Sequence, residues 1–233
     1  MAGCFTPGLF CIFYSLALQF RNDYPLKLMF ELEVKNVSKW FGTRKIFENI
    51  NLDLKSGQSI AVAGPNGSGK TTLLRIIIGL TVPTAGEVVF SQENKKLDFD
   101  SYRSSLSLVG PYLSLYGSLT ARENLKFISK VSGTLSSDSD IGEMLEKVGL
   151  DGRGDDYVLE FSSGMQQRLK YAAALIKNPS ILILDEPTSN LDDEGKKRVF
   201  NIINQYRPDS IIIIATNEKE EYSLADSVCQ LGE

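Results

Sequence analysis

The chain has no histidine among its 233 residues. That absence removes imidazole metal sites, Ser-His and Cys-His nucleophile pairs and any imidazole general base, so proton chemistry falls to carboxylates. Cysteine is scarce: Cys4, Cys11 and Cys229 are scattered without metal-ligand spacing. No disulfide framework or zinc site follows, and a reducing compartment is the simpler reading. Basic residues are not in excess, with 25 Lys and Arg against 29 Asp and Glu and a net charge of -4. A nucleic-acid surface usually needs clustered Lys and Arg, so no nucleic-acid partner is expected.

Long apolar runs are also missing. Residues 9–18 are apolar, but a bilayer-spanning helix needs about 20 such residues. Nothing between Met1 and Leu18 carries a positive side chain, which opposes a signal peptide. The expectation is that Met29 is the natural start and that residues 1–28 are a poorly ordered or mis-assigned extension; a membrane-associating segment is the alternative. What remains, 42% hydrophobic and 23% charged, has the composition of a water-soluble globular protein. Its length fits one large α/β domain or two small ones.

From Met29 the pattern becomes regular. Phe30-Glu31-Leu32-Glu33-Val34 and Ile50-Asn51-Leu52-Asp53-Leu54 alternate as strands do, and Ser59-Ile60-Ala61-Val62-Ala63 is a short buried-type run. Residues 71–80 read as a helix and Gly86-Glu87-Val88-Val89-Phe90 as a strand, while residues 91–104 read as a loop or hairpin. Residues 119–150 hold two helical patterns separated by a Ser/Gly/Thr/Asp stretch at 132–140, which suggests a helical subdomain. Ile181-Leu182-Ile183-Leu184 and Ile211-Ile212-Ile213-Ile214 read as buried strands, each after a helix and a Pro-containing turn. Strands alternating with helices imply a largely parallel sheet covered on both faces. The run Glu218-Lys219-Glu220-Glu221 reads as a solvated helix face.

Three segments carry chemistry. Gly64-Pro65-Asn66-Gly67-Ser68-Gly69-Lys70-Thr71 matches G-x-x-x-x-G-K-[ST] between an apolar strand and a helical run beginning at Thr72. Its backbone N–H groups can curl around phosphate oxygens, Lys70 can neutralise their charge and Thr71 can bind Mg²⁺. Asp185 and Glu186 end a buried strand, where ligands of open α/β sheets collect. There Asp185 can hold Mg²⁺ through water and Glu186 can orient or deprotonate an attacking water; the plainer reading is an acidic cap before Pro187. Phe161-Ser162-Ser163-Gly164-Met165-Gln166-Gln167-Arg168 precedes a helix-like run, and in isolation is equally a helix N-cap with a flexible lead-in.

Taken in order, the Lys70 loop, the Ser-x-Gly-x-Gln-Gln-Arg element, Asp185-Glu186-Pro187-Thr188 and Ser189-Asn190-Leu191-Asp192 resemble four motifs of one family. They are the Walker A, signature, Walker B and D-loop motifs of the ATP-binding cassette family, specifically of bacterial transporter subunits. The likeness covers residues 29–233. It implies an α/β P-loop NTPase with a mostly parallel core sheet, an antiparallel β subdomain and a helical subdomain at about 112–168. It implies ATP and Mg²⁺ as cofactors, with nucleotide bound by Gly64 to Thr72 and by Phe41 or its neighbour Trp40 against adenine. Family members close head-to-tail, so Ser162, Ser163, Gly164, Met165 and Gln166 would face the partner's ATP in a homodimer or heterodimer. A membrane-spanning permease would be the second partner and the cytoplasmic face of the membrane the location.

Three departures stand out. Phe161, Ser163 and Met165 replace the first, third and fifth residues of the usual signature, Leu-Ser-Gly-Gly-Gln. Pro111 aligns with the Gln that normally links the metal site to the helical subdomain, and Asn217 with the switch histidine. Proline has no amide to offer, and asparagine can hydrogen-bond a γ-phosphate but carries no charge. The expectation is ATP hydrolysis by Glu186, Lys70 and Asn217 that is real but slow. A soluble non-transport cassette ATPase and a nucleotide-gated regulatory module remain the alternatives.

Overall fold

A computed structural model describes residues 29–232; the expected extension at 1–28 lies outside the described residues. Two sheets make the frame. Strands β1 (Phe30–Phe41), β2 (Arg44–Lys55), β4 (Ala85–Gln92) and β5 (Lys95–Lys96) form an antiparallel sheet in the order β2-β1-β4-β5. Strands β6 (Leu106–Val109), β7 (Ile181–Asp185), β8 (Ile211–Thr216), β3 (Ser59–Ala63) and β9 (Ser227–Gln230) form an all-parallel sheet, in that order.

The alternation in β1 buries Leu32 and Val34 and turns Glu31 and Glu33 toward water, as expected for a sheet with one wet face. In contrast β3, β7 and β8 are buried along their whole length. Their two faces feed two cores. Leu182, Leu184, Ile212 and Ile214 pack toward the helices, while Ile181, Ile183, Ile211 and Ile213 pack with Leu32, Val34 and Phe90 of the antiparallel sheet. Helix α1 (Lys70–Ile77) joins this second core through Leu73, Leu74, Ile76 and Ile77.

Residues 91–104 contain more than a hairpin: the two-residue β5 is followed by α2 (Phe99–Arg103), capped by the Asp98 carboxylate accepting from Ser101 N–H. Helices α3 (Ala121–Val131) and α4 (Asp138–Lys147) replace the two patterns read at 119–150. Both start with reciprocal capping boxes, Thr120 with Glu123 and Ser137 with Asp140. Their Leu125, Ile141 and Leu145 share the core of α5 (Ser163–Leu175), so this helical region packs directly on the sheet's helix-covered face. Helix α6 (Asp193–Tyr206) leads into β8, and the short α7 (Lys219–Tyr222) follows it.

One sequence expectation is corrected. The run 218–221 is not solvated throughout: Glu221 is 2% exposed, because α7 folds back against the turn after β7. Its neighbours Glu218, Lys219 and Glu220 are exposed.

Candidate functional site

Strand order decides where the chemistry gathers. In the parallel sheet β8 lies between β7 and β3, so the carboxyl ends of all three adjoin. The Lys70 loop leaves β3, Asp185 and Glu186 end β7, and Asn217 follows β8. This is the sheet edge at which open α/β folds bind ligands.

The loop is shaped by glycine where nothing else fits. Gly64 (φ 151°) has no room for a side chain, since a Cβ would lie 2.5 Å from the Leu231 carbonyl oxygen. Gly69 (φ 102°) caps α1 in the left-handed region, where a Cβ would meet Ile46 at 2.5 Å. Lys70 is buried and donates to the Gly64 and Pro65 carbonyls at 2.7 and 3.1 Å, so its ammonium lies inside the loop's curl. A buried ammonium beside carbonyls at a helix N-terminus fits an anion such as a phosphate group. Ser68 is packed behind the loop against Gly64, its hydroxyl without a hydrogen-bond partner among the described residues.

Thr71, one residue into α1, donates its hydroxyl to Asp185 Oδ2 at 2.9 Å. Thr71 and Asp185, a hydroxyl and a carboxylate oxygen at the loop's mouth, are the hard donors Mg²⁺ prefers, so the residues present fit the ion. Burial raises the Asp185 carboxyl above its ordinary value; the Thr71 hydrogen bond opposes this, the Glu186 charge adds to it, and Lys70 and Arg75 oppose it. Glu186 is exposed and sits at φ 52°. The left-handed region costs a non-glycine residue about 1–2 kcal/mol, and such strain persists only where surrounding contacts over-determine it.

Phe41, Asn66, Gly67, Gly69, Lys70, Thr71, Thr72 and Glu186 line one cavity of about 460 Å³. Phe41 is 55% exposed with the Lys39 ammonium 4.8 Å from its ring centre, whereas Trp40 is half-buried and does not line the cavity. Asn217 stands over the same loop, its amide nitrogen 3.5 Å from Asn66 Oδ1. None of Ser162, Ser163, Gly164, Met165 and Gln166 lines this cavity. Ser162 and Ser163 are exposed at the start of α5, where Ser162 caps the helix by accepting from Met165 N–H at 3.2 Å. The N-cap reading and the anion-facing reading of this element are therefore compatible. Gln166 is occupied locally, donating to the Phe161 carbonyl at 3.2 Å.

Sequence reasoning missed Arg44 and Ile46, which complete the cavity beside Phe41. It also missed Tyr112. Beside Pro111, which is exposed, the Tyr112 ring lies 4.5 Å from the Arg75 guanidinium and shares a second cavity of about 360 Å³ with Arg75, Thr71 and Asp185. An aromatic residue next to the proline was visible, but its pairing with a helix 37 positions earlier was not.

Comparison with known proteins places the chain in a family. A family model described as ABC transporter matches residues 47–189. The lantibiotic transport ATP-binding protein SrtF of Streptococcus pyogenes is 35% identical over 202 residues, covering 84% of this chain and 85% of its own. The cytochrome c biogenesis ATP-binding export protein CcmA of Histophilus somni is 33% identical, covering 81% and 87%. Among solved structures, a putative ABC transporter ATP-binding protein from Pyrococcus furiosus superposes with a TM-score of 0.75 at 25% identity, covering 86% of this chain and 97% of that one. A dimeric ATP-binding cassette in a post-hydrolysis state with ADP and Pi bound gives 0.75 at 27% identity, covering 86% and 94%. With a glycine loop closed on Lys70 and paired carboxylates at one sheet edge and this kinship across most of its length, the chain belongs to the ABC transporter family, as an ATP-binding and ATP-hydrolysing subunit.

Proposed function

We propose that this subunit works as one of a pair of cassettes that close head-to-tail on ATP at the cytoplasmic face of a membrane and drive a separate permease. The observation that carries the site assignment is the Thr71–Asp185 hydrogen bond, which locks the phosphate-loop helix to the carboxylate-bearing strand. Lys70 and the loop N–H groups bind the phosphates, Phe41 stacks on the base, and Thr71 with Asp185 holds Mg²⁺, which when bound offsets charge on the β- and γ-phosphates. Glu186 orients the attacking water and takes its proton. Ser162, Ser163 and Gly164 present an N-capped helix start to the partner's γ-phosphate.

Turnover is proposed to be slow, since Pro111 has no side-chain amide where the family carries its linking Gln, and Asn217 has an amide but no positive charge where the family carries its switch histidine. Asn217→His is then expected to raise the single-turnover rate by about tenfold. A rate unchanged in both Asn217→His and Asn217→Ala removes Asn217 from the mechanism.

The permease reading is supported by a groove of about 750 Å³ whose lining is apolar at Ile78, Leu80, Leu108, Leu113, Ile128 and Val131 and charged at Asp100, Arg103 and Lys177. Leu80 and Val131, each 71% exposed, stand at its rim, and an exposed apolar patch of this kind suits a protein partner. The region at about 112–168 is proposed as the helical subdomain that carries one wall. Among the described residues no helix is long and apolar enough to cross a membrane, so this portion would attach through such a partner. The reading is tested by Mg²⁺-dependent ATP turnover, abolished by chelation, together with co-purification of a multi-spanning membrane protein. Turnover without metal, or co-purification with ribosomes instead, contradicts it.

A further inference from the structure

The buried end of the 218–221 charge run faces a specific target. One oxygen of Glu221 accepts from both donors of Thr188, the backbone N–H at 3.1 Å and the hydroxyl; the other is buried and accepts nothing among the described residues. A buried carboxylate that is only half satisfied is costly, and an apolar residue could fill the same space without that cost. The grip is on the turn that starts at Glu186.

That turn needs holding, because Glu186 lies in the left-handed region. Its N–H donates to the Ala215 carbonyl of β8 at 2.9 Å, and its carbonyl accepts from Ser189 N–H at 3.1 Å. Tyr171, buried on α5, donates its hydroxyl to the Pro187 carbonyl at 2.9 Å. Burial and then the charge of Glu221 raise the Tyr171 phenol well above its ordinary range, so it remains a donor. Residues 186–188 are thus gripped from three elements: β8, the helix that begins at Ser163, and the helix that begins two residues after Asn217. One side-chain grip comes from the helix whose start carries Ser163, assigned to the partner's nucleotide, and the other from the helix that follows the loop carrying Asn217, assigned to the chain's own.

We propose that Glu221, with Tyr171, is a positioning residue for ATP hydrolysis, holding the Pro187–Thr188 turn so that the Glu186 carboxylate points at the attacking water. This rests on the reading of Glu186 given above. Glu221 acts through Thr188 and does not itself line the Lys70 cavity, so its loss should lower kcat and spare ATP binding.

The test compares the full chain with Glu221→Ala, Glu221→Gln, Thr188→Val, Tyr171→Phe, the Glu221→Ala/Thr188→Val double variant and Glu186→Gln. Each is assayed for kcat, ATP KM and melting temperature. Expected is a kcat about tenfold lower in Glu221→Ala with KM within about twofold, and recovery in Glu221→Gln, whose carbonyl still accepts from both Thr188 donors. Thr188→Val should resemble Glu221→Ala, the double variant should be no worse than either, and Tyr171→Phe should lose about threefold. Wild-type kcat in Glu221→Ala overturns the proposal. So does an equal loss in Glu221→Ala and Glu221→Gln that tracks melting temperature, the mark of a mere structural brace. Should Glu221→Ala fail to fold, Thr188→Val decides alone: a wild-type kcat there overturns the proposal. Glu186→Gln separates the two levels. If it retains turnover, the reading of Glu186 fails; if it is inactive while Glu221→Ala is normal, only the positioning role fails.

Discussion

Asp185 is buried at the end of β7 with Thr71 as its hydrogen-bond donor, and burial holds its carboxyl above the ordinary aspartate value of 3.8. The folded chain therefore binds that proton more tightly than the unfolded chain. Stability from this group falls as pH rises from 3.8 through the raised value, and is lowest above it. Asp185→Asn removes the charge at nearly constant shape. It should raise the melting temperature at pH 7, flatten the acid side of the stability profile, and abolish Mg²⁺-dependent turnover. A lower melting temperature at pH 7 would show that the ionised carboxylate stabilises the nucleotide-free chain. Phe41 tests a different kind of contribution. A ring that stacks equally in ground and transition states affects KM alone, so Phe41→Ala should raise the ATP KM about fivefold with kcat unchanged. An unaltered KM assigns the base to another surface.

At this scale the legible residues were those whose role is set by neighbours in sequence. Lys70 and Thr71 follow a glycine loop, and Asp185 and Glu186 end an apolar run, so both could be located before any tertiary contact was known. Glu221, Tyr112 and Arg44 could not, because each is defined by contact with a distant segment. Glu221 meets Thr188 33 positions away, and a charge run carries no mark of which member will be buried.

Elements divide the same way. Strands β7 and β8 were plain because burial on both faces demands continuous apolar residues. Helix α2 was missed because its five residues are too few for periodicity; the Asp98 cap was its one local signal, and the stack of Phe90 on Tyr102 at 3.9 Å is a tertiary contact. The loop between β6 and α3 depends on one residue. Asn124, wholly buried on α3, accepts from Tyr116 N–H at 2.8 Å and donates to the Tyr116 and Thr120 carbonyls at 3.0 and 2.9 Å. Asn124→Leu keeps the volume but leaves the Tyr116 N–H without its acceptor, while the Tyr116 and Thr120 carbonyls still accept from backbone N–H groups; this should cost about 2 kcal/mol. The cost should appear as a lower urea midpoint at constant m. An unchanged midpoint would mean the loop finds other partners.

For the whole molecule, one face carries the Lys70-loop cavity and the Ser162-Ser163-Gly164 element lies outside it, with Ser162 and Ser163 exposed at the start of α5. No single chain then offers both halves of the proposed site to one nucleotide. The parallel sheet was legible because alternating strands and helices dictate it, whereas the antiparallel sheet entered only through family resemblance. The pairing of cassettes was not readable from pattern and entered only through family resemblance. Solvent-exposed Ser163 therefore gives a clear expectation: Ser163→Arg, which adds bulk and charge at the proposed interface, should leave ATP binding by the isolated chain intact while abolishing turnover. Binding lost together with turnover would place Ser163 in the chain's own nucleotide site.

The most direct measurement is the solution mass of Glu186→Gln in Mg-ATP, taken alongside ATP turnover of the wild-type chain. The account predicts a monomer without nucleotide, a dimer in ATP, and turnover in the wild type that is absent from the variant. A variant that stays monomeric at saturating ATP while the wild type hydrolyses it would contradict the paired-cassette mechanism.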